Sequence, residues 1–160
     1  MFVFAADPDR PKPKLYADLA QAARAVTAGE PDIVANMANC AALIWQFVPH
    51  LNWAGFYRAV GDELVLGPFI GKPACIRIPF GQGVCGTAAL AREIQVVADV
   101  RAFAGHIACD PASRSELVVP VVREGAVIAV IDLDSPEPAR FDADDAAGFQ
   151  LLATAIRDAI

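Results

Sequence analysis

Three of the four cysteines lie in predicted loops or beside short predicted elements, where a thiol can meet a reactant. Cys75 precedes a short strand-like run, Cys85 lies in a glycine-rich stretch, and Cys109 lies in a polar loop beside Asp110. A thiol reacts as the thiolate, and its surroundings set how much thiolate exists. These cysteines make a redox enzyme the first hypothesis. The fourth, Cys40, lies among apolar residues that recur at helical spacing and is predicted to be a core residue.

Two acidic residues, Asp132 and Asp134, end a strongly apolar predicted strand. Residues two apart on a strand point to one face, with alpha carbons roughly 6.6 Å apart. Residues 123–125 fit a three-residue hairpin loop with glycine in the left-handed conformation, and this loop places Glu116 opposite Asp132. A two-residue loop would instead pair Glu116 with Leu133 and turn it to the other face.

With the favoured loop, the three carboxylates crowd one end of one sheet face. Directly opposed like charges are destabilising, so such a cluster needs a cation, a shared proton or full solvation. Two interpretations stay open from the pattern alone. The carboxylates are solvated strand ends, or they line a pocket that binds an ammonium group or holds a proton donor with a raised pKa.

Trp53, Gly55 and Tyr57 alternate along the first predicted strand and therefore share a face. Such a pair of rings usually belongs to the core. If this face lines the pocket, the rings form an apolar or cation–π wall, and Gly55 leaves room between them for a ligand.

The pattern along the chain indicates an α+β fold with a mostly antiparallel sheet. Apolar residues at helical spacing predict one helix that stops at Gly29, and Asp32 and Asp142 are predicted to cap two others. A short helix is predicted at 83–91 and a long loop at 101–113. The predicted strands are 52–60, 63–69, 75–78, 94–97, 117–122 and 126–133.

Composition narrows the function classes. The 160 residues are 56% hydrophobic and 20% charged, which is typical of one compact domain, predicted here at 14–160 after a tail at 1–13. The net charge of −6, without a basic cluster, disfavours binding to nucleic acid or anionic membranes. No apolar run approaches the ~20 residues of a spanning helix, and the first residues lack the basic region of a signal peptide. We expect a cytoplasmic protein without a structural disulfide framework.

Three other site types receive weak support. Residues 81–86 match G-x-G-x-x-G, but the βαβ unit of a dinucleotide site is lacking. The cysteine spacings contain no C-x₂₋₄-C pair for zinc. Cys109 and His106 are close in sequence, but their position in a loop does not guarantee that they meet in space as a nucleophile–base pair. The glycine-rich stretch is better interpreted as a turn into a helix, with Cys85 in its first turn, where the helix dipole favours thiolate.

Six segments, in order, closely resemble the free methionine-(R)-sulfoxide reductase family, whose members are stand-alone GAF domains. The resemblance covers residues 14–158, and the motifs that carry it lie at 52–57, 66–69, 81–87, 105–110, 115–116 and 132–135. Together they are far more specific than any one of them. One departure is Ile70, where the family is expected to have a polar residue, often glutamine.

The resemblance implies a six-stranded antiparallel sheet flanked by helices, with the pocket under a loop. It also implies a set of site residues. These are Cys109 as nucleophile, Cys75 and Cys85 as resolving cysteines, Glu116, Asp132 and Asp134 as acids that engage the substrate, and Trp53 and Tyr57 as an aromatic wall.

The implied activity is the reduction of free L-methionine-(R)-sulfoxide to L-methionine through a thiolate, sulfenic acid and disulfide cycle. A dithiol reductant such as thioredoxin would restore the thiols, without a metal or organic cofactor. Glu116 or Asp134 would donate the proton. The resemblance also suggests a homodimer and a role in oxidative stress. The alternatives are a GAF module that binds a small ligand without turnover, and a thiol redox sensor.

Overall fold

The computed structural model describes Phe4, residues 10–105 and residues 110–160. Within these residues the chain forms four α-helices and six strands. The helices are α1 (Lys12–Thr27), α2 (Ile33–Phe47), α3 (Gly83–Ala91) and α4 (Ala143–Ile156). The strands are β1 (Trp53–Val60), β2 (Glu63–Gly71), β3 (Arg77–Pro79), β4 (Gln95–Val97), β5 (Ser115–Arg123) and β6 (Ala126–Ser135). None of the described helices has both the length and the hydropathy needed to cross a membrane.

The strands form one sheet in the order β3-β2-β1-β6-β5-β4, and every neighbouring pair is antiparallel. This confirms the predicted α+β fold with a six-stranded antiparallel sheet. The two shortest strands, β3 and β4, form the edges, while β1 and β6 lie at the centre. Short edge strands limit the unpaired backbone that could recruit another chain.

The helices lie on opposite faces of the sheet and create two apolar clusters. Helices α1, α2 and α4 pack on one face, and α3 packs on the other. Strand β5 serves both clusters because its side chains alternate: Leu117 and Val119 face the three-helix layer, whereas Val118 faces α3. Cys40 is fully buried in the three-helix layer, as its helical spacing predicts.

Two of the helix starts follow from their capping residues. The carboxylate of Asp32 accepts hydrogen bonds from the backbone N–H groups of Val34 and Ala35. At the start of α4, Asp142 and Asp145 each accept from the other's backbone N–H group, which makes a capping box. Helix α1 begins at Lys12, two residues before the predicted start of the domain at residue 14.

The loop of the β5–β6 hairpin differs from the predicted three-residue loop. Arg123 pairs with Ala126, so the loop has only two residues, Glu124 and Gly125. Both have positive φ, 52° and 79°, as a two-residue type I′ hairpin turn requires. The prediction was wrong because it assigned the left-handed conformation to the glycine alone.

A bulge in β6 then restores the face of the acidic side chain on β5. The pairing shifts by one residue between Val121 and Val122, which leaves Ile128 as an extra residue in β6. Glu116 therefore lies opposite Asp134, whereas the predicted loop would place it opposite Asp132. The shorter loop and the bulge each shift the pairing by one residue relative to the prediction. The total shift is two residues, so the three carboxylates still share one face.

Candidate active site

A cavity lies on the α3 side of the sheet, between the first turn of α3, the paired ends of β1, β5 and β6, and the segment after β2. Six of the eight predicted site residues line it: Trp53, Tyr57, Cys85, Glu116, Asp132 and Asp134. The remaining two predicted site residues are Cys75 and Cys109. Cys75 is half-buried and packs against the same apolar cluster as the cavity wall, and Cys109 lies outside the described residues.

One wall of the cavity consists of stacked aromatic rings. The Trp53 ring stacks on Tyr57 with centroids 5.9 Å apart and on Phe69 with centroids 5.2 Å apart. The indole N–H of Trp53 donates to the carbonyl of Lys72 at 3.2 Å, which fixes the ring and the segment after β2 together. The wall is therefore rigid and largely apolar.

Gly55 does not leave room for a ligand, contrary to the prediction. A Cβ at this position would lie 2.4 Å from the Cβ of Phe69 and 2.8 Å from the carbonyl oxygen of Pro68. The glycine is required because β2 approaches β1 closely there. The space between Trp53 and Tyr57 is thus occupied by the neighbouring strand.

The three carboxylates lie together in the lining of the cavity. Glu116 and Asp132 are each 6% exposed, and Asp134 is half-buried. Burial, together with the negative charges of Asp132 and Asp134, raises the pKa of Glu116 well above its usual range. Burial and the charge of Asp134 do the same for the pKa of Asp132. This rules out the interpretation of the acids as solvated strand ends.

Asp134 is the most exposed of the three acids. Burial raises its pKa to about 7, while a hydrogen bond from Ser113 opposes the rise. Around neutral pH this group therefore exchanges a proton easily, and the raised pKa values of Glu116 and Asp132 shift both of these acids toward the protonated form. Such a cavity can hold a cationic group and can also donate a proton.

Cys85 is buried at the start of α3, and its thiol lies 3.9 Å from Oε1 of Glu116. Burial raises the pKa of this thiol well above its usual range, and the charges of Asp132 and Glu116 raise it further. The predicted position in the first turn of a helix is confirmed. The expected lowering of the pKa by the helix dipole is wrong, because desolvation and two nearby acids outweigh the dipole.

The other cysteines differ in oxidation state. Cys75 is disulfide-bonded and precedes β3, which begins at Arg77 rather than at the predicted residue 75. Cys40 and Cys85 carry free thiols. Burial raises the pKa of Cys40 to about 12, which makes it unreactive at neutral pH. Ile70, the departure from the family pattern, pairs with Ala54 inside β2 and does not line the cavity.

The residue after Cys109 is held firmly at the cavity. Asp110 is 9% exposed and accepts hydrogen bonds from the backbone N–H of Ala112 at 2.9 Å and from the side-chain amide of Asn52 at 3.2 Å. The ammonium of Lys72 contacts the same carboxylate at 3.3 Å. These donors lower the pKa of Asp110, the hydrogen bond from Ala112 most of all. The chain directly after Cys109 is thereby anchored beside the acids.

Three residues of the cavity region were missed by the sequence analysis: Asn52, Lys72 and Ser113. The amide of Asn52 donates to Ser113 at 3.0 Å as well as to Asp110. A signal existed for Asn52, which lies in one of the segments that carry the resemblance. Ser113 and Lys72 lie in segments without periodicity, so only the fold reveals their position.

A family model described as GAF domain matches residues 42–160. Free methionine-R-sulfoxide reductase of Escherichia coli is 48% identical over 141 residues, which cover 88% of this chain and 86% of that protein. The chain belongs to the free methionine-R-sulfoxide reductase family. The six-stranded sheet described above is therefore the sheet of a GAF domain.

Solved structures agree with this membership in the free methionine-R-sulfoxide reductase family. The X-ray structure of free methionine-R-sulfoxide reductase from Neisseria meningitidis, in complex with its substrate, has a TM-score of 0.93 and 42% identity, and covers 99% of this chain and 95% of that chain. A Burkholderia vietnamiensis structure, provisionally named a GAF sensor protein, has a TM-score of 0.90 and 54% identity, and covers 94% of this chain and 96% of that one.

Proposed function

We propose that this protein reduces free L-methionine-(R)-sulfoxide to L-methionine. The observation that carries the proposal is the cavity with three crowded carboxylates in a chain 48% identical to an enzyme named for this activity. Two of these acids, Glu116 and Asp132, are almost fully buried, and crowded buried carboxylates are stabilised by a cation. The α-ammonium of a free amino acid supplies one, whereas a residue inside a peptide has none.

The aromatic wall and the acids divide the work of recognition in this proposal. The apolar faces of Trp53 and Tyr57 contact the methyl and methylene groups of the substrate, and the acids hold its ammonium. The proton donor is Glu116 or Asp134. Asp134 has the advantage of a pKa near 7, at which an acid is available in both forms.

The first chemical step is assigned to Cys109. Its thiolate attacks the sulfoxide sulfur, while an acid of the cavity protonates the sulfoxide oxygen. The oxygen passes to Cys109 as a sulfenic acid, and methionine leaves with its sulfur reduced by two electrons. The anchoring of Asp110 by Asn52 and Lys72 supports this role, because it holds the neighbouring residue at the cavity.

The second step is the attack of another thiol on the sulfenic acid. A sulfur–sulfur bond forms, the sulfur–oxygen bond breaks, and the oxygen leaves as water. We propose Cys75 as the first resolving thiol, because this fold accommodates Cys75 in a disulfide. Cys85 is less suited to a direct attack, since its thiol is buried and its pKa is raised. It remains a candidate for a later exchange step.

A dithiol protein such as thioredoxin then reduces the disulfide by thiol–disulfide exchange. Because the thiols carry both electrons, the cycle needs no resident metal or organic cofactor. We also propose a cytoplasmic location, where such a reductant would be available. A homodimer is a further proposal.

Turnover of the free sulfoxide tests the proposal directly. The reduced protein with a dithiol reductant should convert methionine-(R)-sulfoxide to methionine and leave the S epimer and a peptide-embedded sulfoxide unchanged. Cys109→Ser should abolish even the first equivalent of methionine, whereas Cys75→Ser should still form it. Cys40→Ala is the matched control. A folded, reduced protein that binds methionine but never consumes the sulfoxide would instead support a ligand-binding GAF sensor.

A further inference from the structure

The lining of the cavity brings a thiol and two carboxylates within reach of one ion. Among the described residues, the sulfur of Cys85, a carboxylate oxygen of Glu116 and one of Asp132 all lie within 4.8 Å of one another. In a tetrahedral zinc site with ordinary bond lengths, a sulfur and an oxygen ligand lie about 3.5 Å apart. The separation of 3.9 Å between Cys85 and Glu116 is close to that distance.

An unsatisfied oxygen at the same place indicates that a ligand belongs there. Oδ1 of Asp132 is buried and has no hydrogen-bond partner among the residues that the structure describes. The residue is only 6% exposed and lines the cavity. A buried polar atom without a partner costs about 1–3 kcal/mol, and more when the group is charged. A cation at this oxygen would remove that cost.

We propose that the reduced protein binds a divalent cation of the zinc class through Cys85, Glu116 and Asp132. A sulfur ligand favours Zn²⁺ over Mg²⁺ and Ca²⁺, which prefer oxygen ligands only. The three ligands come from α3, β5 and β6, which are regular elements packed against one another. Three protein ligands leave the fourth position of a tetrahedral zinc site open.

Such an ion occupies the carboxylates that the proposed function assigns to the substrate's ammonium. It therefore competes with methionine and its sulfoxide and holds Cys85 away from thiol–disulfide exchange. The competition rests on the proposed function, whereas the binding of the ion does not. The two parts are therefore tested by separate measurements.

Cobalt(II) is the probe for binding, because a thiolate ligand gives Co²⁺ a charge-transfer band in the near ultraviolet. The reduced protein, freed of small thiols, should bind one equivalent of Co²⁺ with this band, and Zn²⁺ should displace it. Cys85→Ser should abolish the band and weaken Zn²⁺ binding at least about tenfold, as loss of a metal-site residue commonly does. Asp132→Asn should weaken it similarly.

Cys75→Ser and Cys109→Ser are the matched thiol controls and should keep the band. Circular dichroism establishes that each variant is folded. A reduced protein without a band, a band that survives in Cys85→Ser, or a band lost only in Cys109→Ser would each overturn the proposed ligand set.

Addition of L-methionine tests the competition without any turnover. Methionine should weaken Co²⁺ binding in proportion to its own occupancy of the cavity. Tight Co²⁺ binding that methionine leaves unchanged would refute the competition and the assignment of the acids to the ammonium, while the metal site itself would stand. Loss of Co²⁺ binding with normal sulfoxide reduction would refute the metal site alone.

Discussion

The protonation of the cavity predicts how methionine binding should depend on pH. Burial raises the pKa of Asp134 to about 7. A carboxyl with that pKa is roughly one-tenth ionised at pH 6 and nine-tenths ionised at pH 8. The ammonium attracts the ionised form, so the affinity for methionine should rise about tenfold between these pH values, or about 1.4 kcal/mol. Glu116 and Asp132, with raised pKa values, act in the same direction.

Titration calorimetry of L-methionine against Cys109→Ser measures this effect, because that variant removes the proposed nucleophile and its own ionisation. Binding should also release protons, which two buffers with different ionisation enthalpies reveal. Asp134→Asn in the same background keeps the shape of the side chain and should bind more weakly, with a flatter pH dependence. An affinity that is constant or falls from pH 6 to pH 8, or an unchanged slope in Asp134→Asn, would refute the reasoning.

Three further predictions concern stability. Burial raises the pKa of Asp132, so the stability of the folded state falls as the pH rises above about 3.9, the pKa of this group in the unfolded chain. Asp132→Asn should therefore raise the Tm at pH 8 but not below pH 4. Calorimetry that shows an equal change in Tm at both pH values would contradict this. Gly55→Ala, whose Cβ would lie 2.4 Å from that of Phe69, should cost about 1–3 kcal/mol in urea unfolding; an unchanged midpoint would show that β2 yields freely. Cys40→Ala should cost about 1 kcal/mol through a small cavity but leave kcat/KM unchanged, and a large loss of activity would give Cys40 a role beyond packing.

The elements with local causes could be predicted from the sequence. Helix α3 has the predicted bounds, and the helices at Asp32 and Asp142 begin where these side chains cap them. The face that Trp53 shares with Tyr57, and the face that Asp132 shares with Asp134, follow from the two-residue period of strands. These predictions need no knowledge of distant contacts.

The features that depend on neighbouring strands could not be predicted. The close approach of Phe69 to Gly55 arises where β2 pairs with β1, and the pattern of either strand alone does not reveal it. The pKa of Cys85 depends on two acids that lie more than thirty positions later in the chain. A helix-dipole argument considers only the local element, so it gave the wrong direction.

Because β6 contains the extra residue Ile128, the grouping of the acids in the cavity depends on the length of the β5–β6 hairpin. Deleting that residue would leave the strand intact and apolar but would turn either Glu116 or its partner acids toward the three-helix layer. A single deletion could thus separate the acids without touching any of them. In relatives that keep the acidic cavity, changes in the length of the β5–β6 hairpin should therefore come in pairs.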